Sequence, residues 1–196
     1  MLYLHYMINN QIKSKERVSD HGEVFTSERE VNNMLDLVKQ ETERLDSRFL
    51  EPACGDGNFL IKVLERKINV LLSRYKKNQY EFEKNSVVVI SSIYGIDILE
   101  DNVEETQNRL FNYFKSVYSK TFKGDENQEL LCIIKYILSK NIIHGDALSL
   151  RKVDSDEPVT FCEWSLVNNS IKRRDFTFEH LLQNSPLEGL NLFSDL

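Results

Sequence analysis

Three acids in this chain each close an apolar run and open onto a turn: Phe49-Leu50-Glu51, Ile93-Tyr94-Gly95-Ile96-Asp97 and Ile142-Ile143-His144-Gly145-Asp146. Acids at strand ends of an α/β sheet accept hydrogen bonds from the hydroxyl groups of a nucleotide-like ligand. The first acid runs into Pro52-Ala53-Cys54-Gly55-Asp56-Gly57-Asn58-Phe59. This reads as a strand end, a tight glycine loop and the first turn of a helix, an arrangement that brings backbone N–H groups close to a ligand. Pro52 stiffens the exit, and Gly55 and Gly57 remove side chains that would block approach. A dinucleotide fingerprint needs a third glycine and an acid about 20 residues on. Leu60 occupies the third position and the next strand-end acid is the distant Asp97, so a nicotinamide cofactor is disfavoured.

The elements that must position these acids follow from periodicity. Ser27 and Glu30 form a capping-box pattern, and Val31, Met34, Leu35 and Val38 recur at helical spacing, so a helix runs to about Arg44. Residues 47–51 form the first strand. A helix from Asn58 carries Leu60, Val63, Leu64, Ile68, Leu71 and Leu72 on one face. Residues 76–92 read as a helix feeding a strand through the β-branched run at Val87, and residues 93–97 as the second strand. Asp101 caps a helix that Lys123-Gly124-Asp125 breaks. Residues 130–138 form a buried helix and residues 142–144 a third strand. Val159 to Trp164 is a fourth strand and Arg174 to Phe178 a fifth. Strands alternating with helices imply a mostly parallel sheet with helices on both faces, whose ligands bind at the carboxyl ends of the strands.

The string from Glu51 to Phe59 resembles the cofactor loop of S-adenosylmethionine-dependent methyltransferases, and more narrowly of the N6-adenine DNA methyltransferases of restriction–modification systems. His21-Gly22-Glu23-Val24-Phe25-Thr26 resembles the amino-terminal cofactor motif of that family, with Ser27 where the family has proline. Ile93 to Ile98 and Asn141 to Leu148 resemble its second- and third-strand motifs. The resemblance covers residues 17 to about 150 and implies a Rossmann-like methyltransferase fold, incomplete at its C-terminal end. It also implies roles. Glu51 and the loop (Pro52, Ala53, Cys54, Gly55, Gly57, Asn58) meet the methionine end of the cofactor, and Asp97 takes the ribose hydroxyls. Asp146 accepts from the adenine amino group, and Ala147 offers a backbone N–H to a ring nitrogen. Phe25 and Thr26 close over the methionine moiety, and Ile98 and Phe59 line the adenine and the loop. Cys54 itself packs, with no neighbouring base to activate it.

The family holds its flipped adenine with an Asn/Asp-Pro-Pro-Tyr motif after the fourth strand. The three prolines here, Pro52, Pro158 and Pro186, are never adjacent. Glu163 and Trp164 are the only substitutes, an acceptor and a stacking ring; otherwise Trp164 packs in the core. No catalytic residue is therefore assigned. The chain is expected to bind the cofactor and to need a partner for catalysis and DNA reading. The competing expectation is a truncated or degenerate non-catalytic module.

Composition sets the outer limits. The 196 residues are 41% hydrophobic and 29% charged, with a net charge of −6. That acidity argues against an autonomous grip on DNA, which needs a basic face, although Lys172-Arg173-Arg174 is a local basic run. Residues 1–20 read as a flexible arm and residues 21–196 as one domain. Cys54, Cys132 and Cys162 are too scattered for a zinc site or disulfide framework, which suits a reducing cytoplasm. No signal peptide or spanning segment is expected.

Overall fold

The computed structural model describes residues 13–21, 24, 26–167 and 170–177. Its elements are α1 (Lys15–His21), α2 (Glu28–Leu37), α3 (Lys39–Thr42), β1 (Phe49–Glu51), α4 (Asn58–Tyr75), α5 (Gln79–Ser91) and β2 (Ile93–Asp97), followed by α6 (Glu100–Thr121), α7 (Gln128–Asn141), β3 (Ile142–Asp146), β4 (Arg151–Lys152), β5 (Thr160–Val167) and β6 (Ser170–Thr177). The chain is mixed α/β, with a four-stranded, mostly parallel sheet in the order β1-β2-β3-β4 and a separate β5-β6 hairpin.

β1, β2 and β3 are parallel, and β4 returns antiparallel on β3. The strands progress in one direction across the sheet. Right-handed crossovers between strands laid down in one direction deliver their helices to one face. This is what is found, and it corrects the expectation of helices on both faces. Phe49, Ile93 and Ile142 point into a core built with α4, α5, α6 and α7. The other face, with Leu50, Tyr94, Ile96 and Ile143, packs on Val159, Phe161 and Phe176. The expected fourth and fifth strands are thus the two arms of an antiparallel hairpin, Thr160↔Thr177 to Val167↔Ser170, and extend no parallel sheet.

Local chemistry explains the helix ends. The Ser27–Glu30 capping box forms as expected, but α2 stops at Leu37, and Val38 separates it from the short α3. Residues 87–91 are helical rather than extended. Asn78 caps α5, Val87, Val89 and Ile90 are buried between helices, and the Ser86 and Ser91 hydroxyls donate to carbonyls one turn back. Tertiary burial overrides β-propensity there. A helix also occupies residues 15–21, inside the segment expected to be an arm. Arg17 holds it to Asp101 at 2.6 Å. Asp101 is therefore an ion-pair partner and not the cap of α6, whose N-cap is Leu99.

Candidate functional site at the carboxyl edge

Glu51, Asp97 and Asp146 all lie at the carboxyl edge of the sheet, on three adjacent strands. The register pairs Glu51 with Gly95 and Asp97 with His144. Each acid therefore stands two residues further along than its neighbour. Glu51 and Asp146 are two strand spacings apart across the sheet, about 10 Å, and staggered by four residues, about 13 Å. A ligand touching all three must be elongated and lie diagonally across the strand ends.

The glycine loop is fastened from below. Gly55 donates its N–H to Asp97 Oδ2 at 2.8 Å, and Cys54 donates to the Ile96 carbonyl at 2.9 Å. Thr106 Oγ1 donates to the Gly55 carbonyl at 2.9 Å, and Arg109 pairs with Asp56 at 2.8 Å while reaching Asn58 Oδ1 at 3.0 Å. Asn102 donates to Asp97 Oδ1 at 3.2 Å. Asn102, Thr106 and Arg109 share one face of α6 at spacings of four and three, so this stripe was readable after Asp97 but was missed. Gly57 has φ +84° and its missing Cβ would lie 2.9 Å from Thr106. Its glycine is required by backbone conformation and by the helix behind the loop, rather than by a ligand in front.

The acids differ in what they have left to offer. Asp97 is buried; besides Gly55 and Asn102 it accepts the Leu99 N–H at 2.9 Å, so it organises the loop before it can bind anything. A carboxylate has about four acceptor positions, and three are taken. Asp146 turns back on its own chain and accepts N–H groups of Leu148 at 2.9 Å and Ser149 at 3.3 Å. Those bonds lower its carboxyl below the usual range. Glu51 is different. It is half-buried, its carboxyl is raised by desolvation, and no described group pairs with it. It stands before the loop that enters α4, whose N-cap Gly57 supplies no side-chain cap. The Asp56 carboxyl accepts a backbone bond from Asn58 at the first turn of this 18-residue helix.

The remaining expected residues fall around this edge. Pro52 and Ala53 are exposed, Asn58 opens α4, and Phe59 packs against the helix core. Ile98 is 45% exposed beside β2, and Ala147 follows Asp146 in its turn. The Ile98 carbonyl bonds His144 Nε2 at 3.0 Å, which ties the ends of β2 and β3 together. Thr26 is exposed before α2, and Phe25 lies outside the described residues. Cys54 is buried, and burial with Asp97 nearby pushes its thiol up to about 12, so it is no nucleophile.

Glu163 and Trp164 do not serve this site. Glu163 pairs with Arg48, and Trp164 Nε1 donates to Asn141 Oδ1 at 3.0 Å. Asn141 in turn bonds the Ile93 carbonyl, at the amino end of β2. Both side chains are at the opposite edge from Glu51, beside a cavity of about 180 Å³ lined by Arg48, Ser92, Tyr94 and Trp164. The antiparallel hairpin carries them there, which a parallel fourth strand would not. In the basic run, Arg173 pairs with Asp175 and reaches Tyr136, and Arg174 stands opposite Glu163.

Among the described residues no His, Cys, Asp and Glu cluster could hold a metal ion, and no helix is long and apolar enough to cross a membrane. No protein-family model, curated protein or solved structure matches the chain.

Proposed function

We propose that this chain binds S-adenosylmethionine diagonally across the carboxyl edge of its sheet, and that it serves DNA adenine-N6 methylation of restriction–modification type together with a partner chain. The observation that carries the reading is Glu51, an unpartnered, desolvated carboxylate set before the loop that enters α4. An α-amino acid presents an ammonium and a carboxylate together. Glu51 suits the first, and first-turn N–H groups of α4 suit the second. An elongated sulfonium nucleoside carries such a group at one end and a ribose and adenine at the other. Asp97 with its remaining acceptor position faces the ribose, and Ile98, Asp146 and Ala147 surround the adenine.

When bound, the cofactor supplies an electrophilic methyl group. The residues of this chain hold and orient it: Glu51 fixes the ammonium, Asp97 keeps Gly55 and the loop backbone in place, and the α6 stripe braces both. The Asn/Asp-Pro-Pro-Tyr with which the resembling family accepts the amino hydrogens of an adenine is not in the sequence. That part of the site and the DNA-reading surface are assigned to the partner, and a cytoplasmic location follows from that role. The isolated chain is expected to methylate unmethylated DNA poorly or not at all.

Calorimetric titration with S-adenosylmethionine and with its demethylated product tests the reading. Both are expected to bind. Glu51→Gln is expected to weaken binding by about 10- to 100-fold, the worth of one charge-assisted hydrogen bond, with an unchanged melting temperature. Heatless titrations, or an unaltered affinity for the variant, overturn it.

A further inference from the structure

A line of hydrogen bonds joins α1 to the centre of the candidate site. Lys13 Nζ donates to Asn102 Oδ1 at 2.6 Å, and Arg17 Nη2 donates to the same oxygen at 3.2 Å. Asn102 then donates through Nδ2 to Asp97 Oδ1 at 3.2 Å. Asp97 holds Gly55 of the glycine loop through its other oxygen at 2.8 Å. The neighbours of Asn102 dictate which way its amide points. An ammonium and a guanidinium only donate, and a carboxylate only accepts. A reversed amide would set its N–H groups against both cations and its oxygen against Asp97. Asn102 is 1% exposed, so a mismatched end would go unsatisfied.

The two cations do more than fix the amide. Linked hydrogen bonds polarise one another, so positive charge on Asn102 Oδ1 strengthens the bond that Nδ2 donates. Asn102 and the Leu99 N–H together hold Asp97 Oδ1, which aims Oδ2 at the Gly55 N–H. With Asn102 slack, the carboxylate turns more freely about its last, soft torsion. The described attachments of α1 are light. A helix of seven residues does not persist on its own. None of its described residues is buried, and none joins either hydrophobic cluster. Arg17 and Lys13 meet Asp101 at 2.6 and 3.2 Å through part-exposed side chains, and such pairs contribute little each. The cores therefore stay whole whether α1 lies on α6 or leaves it.

We infer that α1 is a latch on the ligand site and that Asn102 is the positioning residue through which it acts, so that docking of α1 on α6 and binding at the carboxyl edge favour each other. The identity of the ligand rests on the cofactor reading above; the hold of α1 on Asp97 does not. A ligand whose hydroxyls need a fixed Asp97 binds the docked form more tightly and shifts the population toward it. Such coupling is reciprocal: the ligand secures α1 by the factor with which α1 secures the ligand.

The experiment compares the wild type with Asn102→Leu and with a double variant, Lys13→Met with Arg17→Met, whose changes lie outside both clusters and should leave the melting temperature as it is. Without any ligand, the Gly55 amide reports its bond to Asp97 and is expected to exchange about 10-fold faster in the double variant. In the wild type, bound S-adenosylmethionine is expected to slow tryptic cleavage after Lys15 and Arg17 about 10-fold. The double variant is expected to bind S-adenosylmethionine about 10-fold more weakly. In the Asn102→Leu background the same two substitutions are expected to cost no further affinity, a non-additivity that a merely structural role does not produce. Should Asn102→Leu fail to fold, the other three measurements decide. The inference is overturned by unchanged Gly55 exchange in the double variant, by cleavage that bound S-adenosylmethionine leaves as fast, or by losses that add. Faster Gly55 exchange in the double variant, with no heat from S-adenosylmethionine in any chain, sinks the cofactor reading and leaves the latch.

Discussion

Lys67 is the least expected residue in the molecule. It sits on the buried face of α4, fully enclosed, and burial pushes its ammonium down to about 8. Its Nζ donates to the carbonyls of Arg44 at 2.9 Å, Leu45 at 3.2 Å and Ser47 at 2.6 Å, and lies over the Phe49 ring. One side chain thereby fixes the turn that feeds β1 and aims Glu51. In the sequence Lys67 sits among apolar helix positions and looks like a solvated charge; its role depends on three carbonyls that no pattern displays. Lys67→Met strands those carbonyls and is expected to cost about 2 kcal/mol at pH 7. The sign of the pH effect follows from linkage. The lysine binds its proton more weakly when folded than unfolded, so its share of stability grows as pH rises from about 8 toward about 10.4. Cys54 and Cys162, pushed up to about 12 and about 11 by burial, act in the opposite sense over the same range. The wild-type minus Lys67→Met difference in unfolding free energy cancels the cysteines. It should widen between pH 8 and 10 in urea titrations, and a flat difference refutes the assignment.

At the scale of elements, α6 is the brace of the site. Its inner face carries Asn102, Thr106 and Arg109 to the glycine loop, and its amino end carries Asp101 to α1. Arg17 and Lys13 hold the Asp101 carboxyl down to about 2. A carboxyl that is more acidic when folded adds stability above its ordinary value near 3.9, and that stability is lost as pH falls toward 2. Asp101→Asn is expected to release α1 at neutral pH, seen as faster tryptic cleavage after Lys15 and Arg17, and 1 M salt should do the same to the wild type through screening. Equal cleavage rates would show that α1 is held otherwise. Much of this layer was legible beforehand. Apolar spacing marked α2, α4, α6 and α7, and the three acid-terminated runs gave β1, β2 and β3 in order. Asp97 was placed correctly at a strand end, but its burial and its bonds to Gly55, Leu99 and Asn102 were not foreseen, because they depend on how far the loop folds back over β2. The run Val87-Val88-Val89-Ile90 was misread because a helix buried on several sides loses the amphipathic signature that separates it from a strand.

For the whole molecule, the deciding feature is that one face of the sheet is closed by helices and the other by a hairpin. The hairpin is attached through side chains of both layers, with Glu163 paired to Arg48 and Trp164 and Ile171 against the helix core. Tyr94 donates its hydroxyl to the Cys162 carbonyl at 3.0 Å, Phe161 packs edge-on against Tyr94, and Trp164 bonds Asn141. The helix layer has a much larger continuous core. Stability is therefore uneven, with the hairpin at the low end. Phe161 is 1% exposed and joins both arms of the hairpin to the sheet through Tyr94 and Phe176. Phe161→Ala is expected to destabilise the hairpin face by about 3–5 kcal/mol, the range for emptying a buried aromatic site. Trp164 is the single tryptophan and rides on the hairpin, while helical circular dichroism reports the other face. In the variant, Trp164 fluorescence should shift to the red at lower urea than the loss of helix. Coincident transitions would mean that hairpin, sheet and helices unfold as one unit, and that the second face of the sheet is as firmly closed as the first.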